Sequence, residues 1–428
     1  MEKWLERISG KELKFFSIFS MVLLVMAAVA AGTPAGLAEG IWRIIVSRDA
    51  LITDYFELAG YGAAFLNAAL VMGISIFFIV AEKIPFTGLT VAALFMNAGY
   101  GLWGKNPVNI LPVILGTALY AKIHRTKLNR YIYTALFGTC LAPLITELVF
   151  LFPFGRAANL FLAAAIGIAI GFILPPLSIH TASMHMGYNL FNIGFSGGIL
   201  AFIMVSLLRA FGMESDSVMI WKSGQNVRIG VFLFLYFALT ILLGFLMSGK
   251  KAGGLKGIMK HPGRTVTDFV LMDGVGPTLM NMGLIGIFCE IYIVLTGGDF
   301  SGPVVGAILA VFGFSAFGVH IKNYLPVLAG VYISTLFTIF SPDTPGIQLA
   351  AVFSAGLSPI AGQFGPLAGM IAGFLHAAVV MCTGQMYGGL NLYNNGFSAG
   401  WVAVIMVPAT ESFMKYWRGR KSEREKEK

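Results

Sequence analysis

The sequence predicts an all-α polytopic membrane protein made of two inverted-topology repeats with broken or re-entrant helices. Three observations carry this. The 428 residues are 57% hydrophobic and only 11% charged, with a mean hydropathy of +0.81, whereas soluble domains hold about 25% charged residues. Apolar runs of about 20 residues recur from end to end, the length that crosses a hydrocarbon layer. And the chain is written twice.

The duplication is most legible in "GYNLFNIGFSGG" (Gly187–Gly198) and "GLNLYNNGFSAG" (Gly389–Gly400), which lie 202 residues apart. A shift of 214 pairs Thr53-Asp54 with Thr267-Asp268, Asn67 with Asn281, "FTG" at 86–88 with "FSG" at 300–302, and Asn109 with Asn323. A shift of 216 pairs "FGTCLAP" (137–143) with "FSAGLSP" (353–359). Internal repeats of this size are typical of transporter folds. The expected division is a cytoplasmic segment 1–13, a first repeat 14–212, a connecting loop 213–227, a second repeat 228–414 and a basic tail 415–428.

Each repeat reads as about seven spans, 12–14 in total. They fall near 14–32, 57–81, 87–104, 108–122, 131–153, 158–178 and 186–212, then near 228–248, 268–296, 301–318, 324–340, 348–363, 367–382 and 387–414. An odd number per repeat inverts the second copy. The charges agree with that parity. Residues 1–14 carry four Lys/Arg, 121–130 four, 249–264 five and 415–428 seven, whereas loop 341–346 carries none. Basic loops face the cytoplasm, so both termini are expected inside, at a bacterial inner membrane. A basic start followed by an apolar run imitates a signal peptide, but that run has a counterpart deep in the chain.

The net charge of +9 sits in short loops and tails and does not mark a nucleic-acid binder. Cys140, Cys289 and Cys382 have no metal-like spacing and read as small hydrophobes. There is no HExxH or P-loop sequence and no arrangement of Ser, His and Asp stands out, so no enzyme, metal or cofactor is expected. "GIAIG" (167–171) and "GMIAG" (369–373) read as close-packing helix faces. Pro175-Pro176 is expected to interrupt a helix. His180 and His185, five apart, do not make a metal pair.

Candidate chemistry centres on the repeated motif. Asparagine and glycine are poor helix formers, and unwound backbone survives at membrane depth only where protein or a water-filled cavity satisfies it. Asn189, Asn192 and Ser196, with Asn391, Asn394 and Ser398, are therefore the expected substrate-binding set, shaped for a neutral polar or zwitterionic solute. The structural alternative is that the asparagines cap helix ends and the glycines only pack. Ionisable residues inside spans are functional candidates. Glu147, Asp273, Glu290 and His376 are the candidates for ion or proton coupling, against a purely structural pairing. The expected partners are a small-molecule solute and the lipid bilayer, with no nucleic acid. Homo-oligomerisation stays open.

The paired "FTG/FSG", "NxLPV" and "NLxNxGFSxG" elements resemble an uncharacterised family of bacterial membrane proteins with a twice-repeated domain of unknown function. "PFTGLTVAALF" (85–95) is more weakly similar to a segment of urea transporters, which also have two inverted halves. The uracil-permease class is similar in span count alone. The family supplies no activity, and the two transporter similarities are of architecture alone. The repeats and their broken-helix motif lead to the expectation of a secondary transporter moving a small polar solute through a site at the repeat interface, with a passive channel for a small neutral solute as the alternative. A membrane-embedded enzyme or an assembly scaffold is the contrasting class.

Overall fold

The computed structural model describes residues 2–49, 52–215, 218–224 and 226–426, with side chains from residue 10 to 416. The basic clusters at the two ends thus fall partly outside the described side chains, and residues 216, 217 and 225 of the connecting loop lie outside the described residues.

Among the described residues, ten helical stretches are long and apolar enough to cross a membrane, and they fall five to each repeat in the same order. The first five are Gly10–Ala31, Tyr55–Ala81, Leu128–Leu151, Arg156–Met184 and Asn192–Ala210. Their counterparts are Asn226–Met247, Val275–Leu295, Pro345–Phe364, Pro366–Met386 and Asn394–Tyr416. Between the second and third members of each set lie two short helices, Gly88–Tyr100 and Leu111–Ile123 in one repeat, Gly302–Phe314 and Ile321–Thr335 in the other. Helices of 13 to 15 residues rise only about 20–23 Å, less than the roughly 30 Å of a hydrocarbon core. Large apolar side chains such as Phe161, Val227, Leu235 and Ile405 stand exposed around the rim, as lipid contact requires and water would not favour.

The sequence reading passed over one helix. Pro34–Val46 starts on Pro34, with Thr33 capping the Gly36 amide, and buries Gly40 and Ile44. Gly40 lies so close to Ala63 that a side chain there would collide. The expected interruption at Pro175-Pro176 is corrected: Arg156–Met184 runs straight through both prolines. Pro175 has no N–H for the Gly171 carbonyl, and Thr117 Oγ1 donates to that carbonyl instead at 2.9 Å. A neighbouring hydroxyl restores what the ring removed. The final helix also continues beyond the expected boundary at 414, to Lys426.

The two repeats interlock reciprocally. Gly88–Tyr100 packs antiparallel on its own counterpart Gly302–Phe314: Gly88 meets Ala316, Ala92 meets Gly313, Gly99 meets Gly306, and Gly302 meets Leu102. Phe95 and Phe312 fill the centre with ring centroids 4.9 Å apart. A Cβ on Gly99 would run into the Gly306 carbonyl, and one on Gly306 into the Gly99 carbonyl. Only glycine lets the backbones approach so far. Antiparallel packing of equivalent helices places a pseudo-two-fold axis across them. The GxxxG faces do the same work within each repeat, with Gly171 against the Val113 carbonyl and Gly373 against the Val327 carbonyl.

Candidate functional site

The repeated motif is half unwound and half helix. Arg156–Met184 stops before Gly187, which takes φ +78°, and the next helix begins at Asn192. In the second copy Pro366–Met386 stops before Gly389, at φ +73°, and the next helix begins at Asn394. This left-handed backbone suits glycine, which explains the identical first letter of both motifs. The unwound strands find their partners outside themselves. Leu190 N donates to Gly356 O at 2.9 Å, and Leu392 N donates to Cys140 O at 3.0 Å.

The motifs then cross. Asn189 Nδ2 donates to Gly396 O at 2.9 Å, and Asn391 Nδ2 donates to Gly194 O at 3.3 Å. Asn189 Oδ1 accepts from Phe191 N and Asn391 Oδ1 from Tyr393 N. A Cβ on Gly194 would lie 3.0 Å from Gly396 Cα. The Phe397 ring covers Gly198, and the Phe195 ring covers Gly400. Asn189 and Asn391 are fully buried and use their amides to tie each copy to the other's backbone. They act as clamps at the crossing.

The remaining motif residues keep different company. Asn192 Oδ1 accepts from His185 Nε2 at 2.9 Å, and Asn192 Nδ2 donates to Ser178 O at 2.8 Å. The Asn189 backbone N–H donates to His185 Nδ1, so Nε2 carries the ring proton. Thr181 Oγ1 sits 2.9 Å from Asn192 Oδ1 and 2.7 Å from Ser196 Oγ. In the second copy Ser398 Oγ lies 3.0 Å from His376 Nδ1, and His376 Nε2 lies 3.1 Å from Asn395 Oδ1. Asn394 Oδ1 is buried with no hydrogen-bond partner among the described residues.

The acidic candidates do not gather. Glu147 is fully buried and receives Arg48 Nε at 3.0 Å and Nη2 at 2.8 Å. Asp273 lies 2.9 Å from His261 Nε2, in the basic loop 249–264. Glu290 faces Gly230, and its Oε2 has no hydrogen-bond partner among the described residues.

A cavity of about 280 Å³ opens beside the crossing, and both repeats contribute to it. Asn192, Ser178 and Tyr133 meet Thr265, Phe314 and Tyr393 there. Among the described residues, no Asp, Glu, Lys, Arg, His or Cys side chain lines it. A second hollow, of about 410 Å³, is lined by Trp42, Asn109, Thr146 and Arg156 among others, all from the first repeat.

Sequence reading missed a polar group directly behind the first cavity. Lys105 is fully buried. Its Nζ donates to Asn97 Oδ1 at 3.0 Å and to Tyr393 Oη at 2.7 Å. It also lies over the rings of Tyr393, 4.8 Å from the centroid, and Tyr100, at 5.3 Å. Thr139 Oγ1 donates to Asn97 Oδ1. The signal was available: the 214 shift sets Lys105 against Val319, an ionisable residue without a counterpart.

Comparison with known proteins agrees with the duplication. Two stretches, residues 33–210 and 247–412, match one family model described as a protein of unknown function (DUF1576). No curated protein and no solved structure matches.

Proposed function

The chain belongs to the DUF1576 family of proteins of unknown function, and we propose that it is a membrane transport protein whose solute path runs through the junction of the two repeats. The observation that supports this most is the cavity of about 280 Å³ at the crossing of the two motifs. Polytopic proteins with inverted repeats place substrate at such a junction, where broken helices leave polar backbone to be satisfied. The lining mixes aromatic walls with a few hydrogen-bonding groups, the usual make-up of a small-molecule site. An enzyme would gather ionisable side chains around the reacting atoms, and this cavity has none in its wall.

In this reading the protein is a secondary transporter for a small polar solute in the bacterial inner membrane, with both termini cytoplasmic. Antiparallel packing of Gly88–Tyr100 on Gly302–Phe314 supports the inversion, which needs an odd number of crossings between equivalent helices. Asn192 is the motif asparagine that lines the cavity, and it is the one assigned to the solute. A passive channel is the second form of the same reading.

The test is uptake and counterflow in proteoliposomes loaded with small polar metabolites. Concentrative or exchange transport supports a transporter, and purely downhill flux independent of a trans solute would indicate a channel. A chain that moves no solute across a broad screen would overturn both. Reporters fused after residue 428 and within 121–130 should read inside, and one within 341–346 outside. A periplasmic tail would remove the inverted arrangement.

A further inference from the structure

We propose that Lys105 is the counter-ion for an anionic substrate, so that the solute taken at the junction is a small organic monoanion, a carboxylate on an apolar body. This rests on the transport reading above and names its substrate class.

The two repeats supply an internal control. The site of Lys105, Asn97, Thr139 and Tyr393 has an equivalent in the other half, occupied by Val319, Val311, Ala355 and Phe191. The surrounding frame is the same in both. The Tyr100 and Tyr393 rings lie 4.6 Å apart, and their counterparts Phe314 and Phe191 lie 4.8 Å apart. The strand hydrogen bonds Leu392 N to Cys140 O and Leu190 N to Gly356 O measure 3.0 and 2.9 Å. One copy of the fold is therefore complete with an apolar quartet. The polar quartet is not needed to build the other copy, and burying an ammonium is costly.

The neighbours of Lys105 leave an ammonium there without a counter-charge among the described residues. Its two hydrogen-bond acceptors, Asn97 and Tyr393, are neutral, and it makes no ion pair among the described residues. An ammonium has three donors; the third has no acceptor among the described residues. Two aromatic faces supply part of the missing negative potential, but neither carries a full charge. Tyr393 connects this group to the cavity: it lines the hollow, and its hydroxyl touches Nζ. A carboxylate taken into the cavity would lie against Tyr393, whose hydroxyl is bonded to the Lys105 ammonium. The cavity wall holds no acid to repel it, and Phe137, Phe191, Phe314 and Phe317 give an apolar body its surface.

The experiment uses the full chain with matched probes of equal shape, butyrate against butyramide and benzoate against benzamide. The readouts are solute-induced shifts in melting temperature and exchange in proteoliposomes. The acids are expected to stabilise and exchange, with the amides at least tenfold weaker. Lys105→Val, which places in the first repeat what the second already tolerates, should fold and lose the acids by tenfold or more. Lys105→Arg should keep part of the acid response, and it guards against a folding defect in the valine variant. Amides equal to acids in the native chain would overturn the proposal while leaving transport standing. Acid binding undiminished in Lys105→Val would overturn it as well. If neither set binds or moves, the monoanion assignment fails, and a broad solute screen decides separately whether the transport reading fails with it.

Discussion

Asp54 and Asp268 each cap a helix in their own repeat and close a helix in the other. Asp54 Oδ1 accepts from Phe56 N at 2.8 Å while Oδ2 accepts from Gly302 N at 3.1 Å. Asp268 Oδ1 accepts from Val270 N at 3.0 Å while Oδ2 accepts from Leu89 N at 3.3 Å. Asp54→Ala and Asp268→Ala should each cost at least about 1–3 kcal/mol, the expense of leaving a buried donor unpaired. Asp54→Asn keeps one acceptor oxygen and should lose less. Melting of the purified protein in detergent measures this, and an unchanged midpoint for both alanine variants would contradict the reciprocal capping.

Gly99→Ala should destabilise by about 1–3 kcal/mol, because the new methyl meets a backbone carbonyl that has no rotamer to move to. Gly253→Ala, where the space around the residue is open, should stay within about 0.5 kcal/mol. Equal melting temperatures for the two variants would refute the close approach of the two short helices.

Asn189→Ala and Asn192→Ala should separate stability from transport. Asn189 spends its amide on the opposite motif's backbone, so its loss should lower the melting temperature and the yield of folded protein. Asn192 faces the cavity. Its loss should weaken solute affinity by a few-fold, the equivalent of about 0.5–1.5 kcal/mol for one hydrogen bond, with folding less affected. Affinity loss confined to Asn189→Ala would reverse the assignment.

Glu147→Gln should cost folding stability, because the substitution removes the charge that receives the Arg48 fork. Breaking a buried pair costs roughly 3–5 kcal/mol, and the 40% exposure of the Arg48 side chain puts this case toward the low end. Glutamine fits the site, since Gln363 holds the equivalent position. Arg48→Gln together with Glu147→Gln should recover part of the loss. A double variant no better than the single would show that the pair is not coupled.

Thr117→Val should destabilise the Arg156–Met184 helix by about 1 kcal/mol, by freeing the Gly171 carbonyl opposite Pro175. Hydrogen exchange of the amides around Gly171 reports this directly. Unchanged protection would show that the carbonyl finds another donor.

What the sequence displayed followed from how local each cause is. The duplication is a matter of letters, so it and the span periodicity were legible from end to end. Asp54 and Asp268 were visible as a pair, but a cap is a local signature, and the second carboxylate oxygen of Asp54 reaches an amide 248 residues away. Pro175-Pro176 misled because a rule about one helix was set aside by Thr117 on another. The motif asparagines were read together as ligands, since sequence separates neither the two that clamp backbone nor the one that faces a cavity. Lys105 lies between the expected spans 87–104 and 108–122, where a basic residue in a short connection draws no notice. Only its apolar opposite number, Val319, marks it as exceptional.

The reciprocal caps also set a schedule for biogenesis. Leu89 waits for an acceptor that lies 179 residues further along the chain. At a synthesis rate of about 5–20 residues per second, the first repeat stays in the bilayer for roughly 10–35 s with an open helix start. During that interval its unmatched amides and the bare glycine face of Gly88–Tyr100 need shielding from lipid by the insertion machinery. Ribosome stalling between residues 210 and 260 should therefore leave a protease-sensitive, insertase-bound first repeat, and release from the insertase should come only after Asp268 has emerged.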